Sequence, residues 1–330
     1  MAVNCPVCQT QVMAGDAYCE ACGHALTSPS CTACGAPAVD AEGYCEHCGL
    51  RQPTVRDHAE LELDGGAAGV TDKGLRRARN EDAMALLPAG RADGATPPPA
   101  DGTESAAPSA IDGSESAAPQ AADGSEIATL PSAALEEGAT VRVPPAGSIV
   151  TVVCDGVGSS PRADEASAAA VEAAAAALAR GLPHEEAFAL AGQAVVKLAE
   201  SVDSAPACTY VAAVAEPGRV TLCWAGDTRA YWLPGGALLT EDDAAPTGEI
   251  TAWLGADYAD VVPRVRTFVP PAPGLLLVCS DGLWRYLEGY RFPTSGTPLE
   301  QAREMLRHAL DSGGQDNVTI VLIPLGGSHG

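Results

Sequence analysis

Basic side chains are scarce in this chain: 19 Lys and Arg stand against 43 Asp and Glu, a formal charge of −24 over 330 residues. Affinity for a polyanion comes largely from neutralising phosphates with Lys and Arg, so a nucleic-acid partner is not expected, while solubility and cationic ligands are favoured. Long hydrophobic runs are missing too. No stretch approaches the roughly 20 apolar residues of a membrane span, and MAVNCPVC has neither the charged nor the apolar part of a secretion signal. The expectation is a cytoplasmic protein with no membrane partner, built from one sizeable domain and a smaller one.

Cysteine, by contrast, is plentiful and unevenly placed. Of the 12 residues, 8 fall within the first 48 positions as CxxC pairs and 4 sit singly in apolar runs. That distribution reads as zinc ligation plus reduced core thiols rather than a disulfide framework. The first 50 residues hold a duplication, CPVCQTQVMAGDAYCEACGHAL and CTACGAPAVDAEGYCEHCGLRQ, each with CxxC, ten residues, then CxxC. One half offers Cys5, Cys8, Cys19 and Cys22, and the other Cys31, Cys34, Cys45 and Cys48. Zinc takes tetrahedral sulfur, and a two-residue spacing aims both sulfurs of a knuckle at one ion. Neither half carries enough apolar material to fold without metal. A redox dithiol would need a surrounding βαβ pattern, which is lacking. The repeat resembles the double zinc ribbon family. Two structural Zn2+ are expected, and His24 and His47 beside the knuckles are read as bystanders. Closed sites of this kind bind rather than catalyse.

Residues 51–65 read as a polar linker, and a second domain spans 66–325. Within it, AAGVTDKG and EDAMALLPA read as two short strands joined through the Arg77 to Asp82 segment. Residues 91–140 are an imperfect repeat rich in Ala, Pro, Ser, Gly and acid, without the apolar periodicity that offsets chain entropy, and are expected to be a disordered acidic insertion. Helices are expected at 164–180, 184–202 and in PLEQAREMLRHALDSG. The intervening strands are apolar on both faces, so two stacked sheets between helical layers would satisfy the pattern.

Two apolar runs end abruptly in Asp-Gly: SIVTVVCDG at Asp155 and Gly156, and GLLLVCSDG at Asp281 and Gly282. A carboxylate at the end of a buried strand is costly unless something positive meets it. RRARNEDA adds Arg77, Glu81 and Asp82, and GGQDNVTIVLI adds Asp316 and Asn317. Several carboxylates stay ionised in one pocket only if cations neutralise them, and all-oxygen coordination suits Mg2+ or Mn2+ rather than zinc. The Gly156 carbonyl is a further candidate ligand. Two such ions can activate a bridging water toward phosphorus while an arginine grips the phosphate.

TDKGLRRARNEDAM, VVCDGVGSS, CTYVAAVAEPGRVTLCWAGDTRAYWL, LLLVCSDGLW and GGQDNVTIVLI resemble, in order and spacing, the motifs of the metal-dependent type 2C protein serine/threonine phosphatases. The resemblance implies an α+β fold, a four-layer αββα sandwich of two mainly antiparallel sheets flanked by helices, beside the zinc ribbons. It implies two Mn2+ or Mg2+ and direct attack of a metal-bridging hydroxide on phosphoserine or phosphothreonine of protein substrates. Asp155 would bridge the metals, with Asp281 and Asp316 on one and Glu81 and the Gly156 carbonyl on the other. Asp82 would hold metal-bound water, Arg77 the substrate phosphate, and Asn317 the last corner; Arg76 and Arg79 are the neighbouring alternatives to Arg77. Asp203 stands one residue out of register with a ligand for a third, weaker metal in bacterial relatives.

Asp227 and Arg229 match a motif that is mainly structural. Cys154, Cys208, Cys223 and Cys279 are read as inert core thiols, and His184 and His308 as solvent-facing helical residues. Val157 stands where some members carry a histidine that could act as general acid, and most of the flap between RAYWL and LLLVCSDG is missing. The ribbons are expected to dock a partner such as a cognate Ser/Thr kinase or its substrates. The competing expectation is a weak or inactive phosphatase-like scaffold that binds phosphoproteins or that kinase.

Overall fold

A computed structural model describes residues 2–5, 8, 10–13, 19–22, 30–36, 39–40, 43–89, 142–202, 204–257 and 261–326. Asp203, His24 and the acidic insertion expected at 91–140 lie outside the described residues.

The N-terminal hairpin pairs β1 (Ala2–Asn4) with β2 (Gln11–Met13). The larger domain follows with β3 (His58–Glu62), β4 (Ala68–Asp72), β5 (Ala83–Pro88), β6 (Ile149–Cys154), α1 (Ala163–Ala179) and α2 (His184–Val196). Next come β7 (Ala207–Cys208), β8 (Tyr210–Glu216), β9 (Arg219–Ala225), β10 (Arg229–Leu233), β11 (Ala237–Leu238), β12 (Leu254–Gly255) and β13 (Arg264–Phe268). The chain closes with β14 (Gly274–Cys279), the single turn α3 (Asp281–Trp284), α4 (Pro298–Asp311) and β15 (Val318–Leu325).

One sheet has six strands in the order β11-β10-β14-β15-β4-β3, and the other five in the order β13-β9-β8-β6-β5. Every neighbouring pair in both is antiparallel. Three apolar layers hold the stack together. Leu222, Trp224, Trp232, Leu276, Val321 and Ile323 fill the space between the sheets. α1 and α2 cover the five-stranded sheet, and α3 and α4 cover the six-stranded one. This is the expected αββα sandwich.

Local chemistry explains the helical layers. Alanine is the best helix former, and Ala166, Ala170, Ala174 and Ala177 are all fully buried, so small side chains let α1 lie close on the sheet. α4 starts at a capping box: Thr297 Oγ1 accepts from the Glu300 amide at 3.2 Å, and the Thr297 amide donates to Glu300 Oε2 at 2.8 Å, with Pro298 in the first turn.

Two details differ from expectation. α2 ends at Val196 rather than running to 202. Inside the stretch read as a polar linker, β3 forms the edge of the six-stranded sheet. Its charged HAELE sequence suits an edge, and Glu60 is paired with Arg303 of α4. β4 and β5 lie in different sheets, so the segment between them crosses from one sheet to the other.

Ile323 is fully buried between the sheets. Ile323→Ala should lower unfolding free energy by about 2–5 kcal/mol in urea at fixed metal concentration; a loss below about 1 kcal/mol would be incompatible with a close-packed inter-sheet core.

Candidate active site and metal centres

The eight N-terminal cysteines form two separate groups, and within each group the four sulfurs lie within 4.8 Å of one another. Cys5 and Cys22 are 3.7 Å apart and Cys8 and Cys19 3.5 Å; Cys31 and Cys48 are 3.7 Å apart and Cys34 and Cys45 3.6 Å. A tetrahedron with Zn–S bonds of about 2.3 Å has edges of about 3.8 Å, so each set fits one zinc ion. Local donors favour the thiolate at one cysteine of each set, while desolvation and the neighbouring sulfurs raise Cys34 and Cys48. Hydrogen bonding to Thr10 lowers Cys8 to about 6, and the Cys34 amide leads those that lower Cys31 to about 6. His47 is not part of the second set.

The carboxylates meet where strands from both sheets end. The β4–β5 crossing brings Arg77, Glu81 and Asp82; β6 ends at Asp155; β14 ends before Asp281, which opens α3; and Asp316 and Asn317 lead into β15. Close backbone approach makes this possible. A Cβ on Gly156 would lie 2.8 Å from the Glu81 carbonyl oxygen, one on Gly158 2.8 Å from Arg77 Nη1, and one on Gly282 would collide with the Asn317 carbonyl.

Asn317 is almost wholly buried and ties the crossing segment down. Its Oδ1 accepts from the Glu81 amide at 2.8 Å, and its Nδ2 donates to the carbonyls of Lys73 and Arg79, both at 2.9 Å. With these bonds its amide is committed to holding the loop. The Glu81 carbonyl in turn accepts from the Gly156 amide at 3.2 Å and from Ser167 Oγ at 2.5 Å. Asp82 sits at the end of a directed chain: Asn80 Nδ2 donates to Thr71 Oγ1 at 2.9 Å, Thr71 to Thr319 at 2.7 Å, and Thr319 to Asp82 Oδ2 at 2.8 Å. Ser280 Oγ adds a second donor to the same oxygen at 2.7 Å.

The electrostatics are those of a site awaiting positive charge. Burial, and then the charges of Asp82, Asp281, Asp227 and Asp316, push Asp155 well above the usual carboxylate range. Burial raises Asp82 to about 6 against its hydroxyl donors. Burial and Asp316 raise Asp281 to about 7 although Arg285 opposes them, and burial raises Glu81. Two arginines partly meet the demand, with Arg77 Nη2 2.6 Å from Asp316 Oδ2 and Arg285 Nη2 2.6 Å from Asp281 Oδ2. Asp82 Oδ1 and Asp281 Oδ1 are buried with no hydrogen-bond partner. Among the described residues only the cysteine sets bring three or more ligating atoms within 4.8 Å. The carboxylates are spread more widely, as like charges separated by arginine would be. Hard oxygen donors, two unsatisfied oxygens and raised pKa values fit Mg2+ or Mn2+.

Of the other residues singled out from sequence, Arg229 makes a bidentate pair with Asp242 at 2.9 and 2.6 Å and lies 3.6 Å over the Trp284 ring. The Asp227 carbonyl accepts from Trp284 Nε1 at 2.8 Å, so this pair anchors α3 to β10. Cys154, Cys208, Cys223 and Cys279 are fully buried, and burial raises the Cys154, Cys223 and Cys279 thiols. The expectation that His184 and His308 face solvent is corrected. His184 Nε2 lies 3.2 Å from the Thr221 carbonyl, and His308 stacks on Tyr290 with Nε2 2.9 Å from the Tyr286 carbonyl. Ser280, Thr319, Asn80 and Arg285 were not anticipated. Ser280 alone carried a local signal, a hydroxyl at the end of an apolar strand beside Asp281.

Because the folded protein holds the Asp281 proton more tightly than the unfolded chain does, folding binds protons between about pH 4 and 7, and metal-free stability falls as pH rises through that window. Asp281→Asn removes this penalty. With zinc retained and no Mg2+ or Mn2+ added, the variant should show a higher Tm than the parent at pH 8 and a clearly smaller advantage at pH 5. Equal Tm values at both would contradict the raised Asp281 pKa.

A family described as Protein phosphatase 2C matches residues 134–317, and one described as Double zinc ribbon matches residues 5–49. No curated protein sequence matches the chain. Among solved structures, the serine/threonine phosphatase Stp1 from Staphylococcus aureus is 18% identical, covering 82% of this chain and 98% of its own, with a TM-score of 0.58. A bacterial serine phosphatase is 17% identical over 80% of this chain and 99% of its own, TM-score 0.56. The S. agalactiae serine/threonine phosphatase is 16% identical over 82% and 100%, TM-score 0.54. At such identities the likeness is one of fold. The first family match, however, spans more than half of the chain and takes in the Asp155, Asp281 and Asp316 corners, and on it the chain belongs to the protein phosphatase 2C family, carrying a double zinc ribbon ahead of that domain.

Proposed function

We propose that the chain is a metal-dependent protein phosphatase that hydrolyses phosphoserine and phosphothreonine monoesters on proteins. The observation that carries this reading is the gathering of Asp82, Asp155, Asp281 and Asp316 around buried, unpartnered carboxylate oxygens with Arg77 alongside. Asp155, Asp281, Asp316, Glu81 and the Gly156 carbonyl would hold two cations, Asp155 serving both, Asp281 and Asp316 one, and Glu81 with the Gly156 carbonyl the other. Mn2+ or Mg2+ bound there would supply Lewis acidity and an activated water.

The remaining roles fall to the chain's own groups. Arg77, packed against Gly158 at the edge of the carboxylate set, grips two phosphate oxygens of the substrate. Asp82, held by Ser280 and Thr319, presents its free oxygen as a hydrogen-bond acceptor for water at the site. Asn317 fixes the loop that delivers Arg77 and Glu81. Val157 offers no proton, so the leaving alkoxide takes its proton from solvent. A third metal at Asp203 belongs to the same reading. The ribbons serve as the docking module for a phosphorylated protein or its kinase.

The test is phosphate release from a phosphothreonine peptide. Release should require Mn2+ or Mg2+, stop with EDTA and return with excess Mn2+, and fall by at least about 100-fold in Asp155→Ala and Asp281→Ala, the scale of losing one major electrostatic element. Activity that is indifferent to EDTA or to both substitutions would overturn the assignment. No release and no Mn2+ binding by the parent would leave the scaffold reading in its place.

A further inference from the structure

The second zinc ribbon is not a free appendage: its polar side chains reach the loop that carries Arg77. Arg51 Nη1 donates to the Ala78 carbonyl at 3.0 Å and to Asp57 Oδ1 at 3.1 Å. Asp57 is buried, its carboxylate also accepts from the Thr54 amide and hydroxyl, and its carbonyl accepts from the Lys73 amide at 2.8 Å. Tyr44 adjoins the Arg79 guanidinium, which lies 3.6 Å from Asp164. The ribbon therefore touches Ala78 and Arg79, the two residues directly after Arg77.

These contacts depend on the cysteine set behind them. Tyr44 and Arg51 are paired across an antiparallel bridge, closed by the Cys45 amide on the Leu50 carbonyl at 2.9 Å and the Gly49 amide on the Cys45 carbonyl at 2.7 Å. Gln52, next to Arg51, donates from Nε2 to Cys31 Sγ at 3.2 Å and accepts from the Thr32 amide at 2.7 Å. One side of this short segment holds a zinc-ligating sulfur and the other holds the Ala78 carbonyl. Among the described residues of the second ribbon, no hydrophobic cluster exists that could keep this arrangement without metal.

The phosphatase domain secures the loop on either side of residues 76–78. On one side the Leu75 amide donates to the Gly314 carbonyl at 2.8 Å. Asn317 binds the carbonyls of Lys73 and Arg79, and Asn80 Nδ2 binds the Arg56 carbonyl at 2.9 Å. Arg77 itself is held by Asp316, a partner it must relinquish in order to bind phosphate. We propose that Arg51, held in place by the Cys31, Cys34, Cys45 and Cys48 zinc site, is a positioning residue for substrate phosphate, acting through the Ala78 carbonyl to fix the loop that presents Arg77. This rests on the phosphate role given to Arg77 above. A group that binds phosphate equally in ground and transition states shows its loss in KM rather than kcat.

The experiment uses the full chain with zinc content measured at two per molecule. Arg51→Ala should raise KM for a phosphothreonine peptide about tenfold with kcat within about twofold, the scale of one lost charge-assisted hydrogen bond. Amide hydrogen exchange over residues 74–80 should quicken while β14 and β15 stay protected. Arg51→Lys, which keeps a donor, should recover much of both, and release of zinc from the parent with a thiol-modifying reagent should reproduce the faster exchange. Unchanged exchange, or an unchanged KM, in zinc-replete Arg51→Ala overturns the proposal. Arg77→Ala separates the two readings: if it leaves KM unaltered, the phosphate role of Arg77 fails and the positioning role fails with it, whereas a raised KM in Arg77→Ala but not in Arg51→Ala rejects the tether alone.

Discussion

Crowding of like charge at the ends of two sheets is the constraint on which the rest of the phosphatase domain depends. Asp82, Asp155, Asp281 and Asp316 arrive from four separated segments, and each depresses the ionisation of its neighbours. Such a gathering is unfavourable in itself, so it persists only because the surrounding structure over-determines it. Ser280 and Thr319 fix Asp82, Asn317 and Ser167 fix the Glu81 backbone, and glycine at 156 and 282 removes the side chains that would hold the corners apart. The inter-sheet core belongs to the same argument. Asp155 comes from the five-stranded sheet and Asp281 and Asp316 from the six-stranded one, so packing between Leu222, Trp224, Leu276 and Ile323 sets how far apart these carboxylates stand.

What could be read from sequence follows from where the signals are local. An apolar run that breaks at Asp-Gly states both that a strand ends and that a carboxylate is placed there, so Asp155 and Asp281 were legible. Paired CxxC motifs declare a closed sulfur site in the same way, and the sulfur distances agree with it. The helices expected at 164–180 and in PLEQAREMLRHALDSG are α1 and α4. Partners brought in from far along the chain left no such mark. Arg285 looks like any surface arginine one turn after Asp281, and Thr319, the single hydroxyl of β15, has nothing beside it in sequence that marks Asp82 as its partner. β3 was concealed by its edge position, because a strand with one unpaired side needs no apolar alternation. His184 and His308 were misjudged for a related reason: helix position alone does not reveal that a loop or sheet carbonyl waits for the ring.

The cysteine sets and the proposed carboxylate site differ in donor chemistry. Soft thiolates close completely around zinc and leave no open position, which suits holding a small segment that has little core of its own. Hard carboxylates leave oxygens unsatisfied and carry raised pKa values, which suits exchangeable divalent ions and a phosphate ligand. Arg77 and Arg285 occupy part of the charge deficit as the structure stands. Arg77, the one carried on the loop, lies against Gly158 with Asp316 as its main partner.

That loop is where the two chemistries meet. Residues 73–81 cross between sheets without belonging to either, so no ladder of strand hydrogen bonds orders them, and their conformation has to come from side chains reaching in. Asn317 reaches from the phosphatase core to Lys73 and Arg79, and Asn80, within the loop, ties it back to Thr71 and the Arg56 carbonyl. Arg51 reaches from the ribbon to Ala78 and, through Asp57, to Lys73. A guanidinium that must let go of a carboxylate to bind phosphate gains from a backbone that stays put during the exchange, because the entropy of ordering the loop is then already spent before substrate arrives. On this view the ribbon's contribution to hydrolysis is preorganisation delivered through one backbone carbonyl.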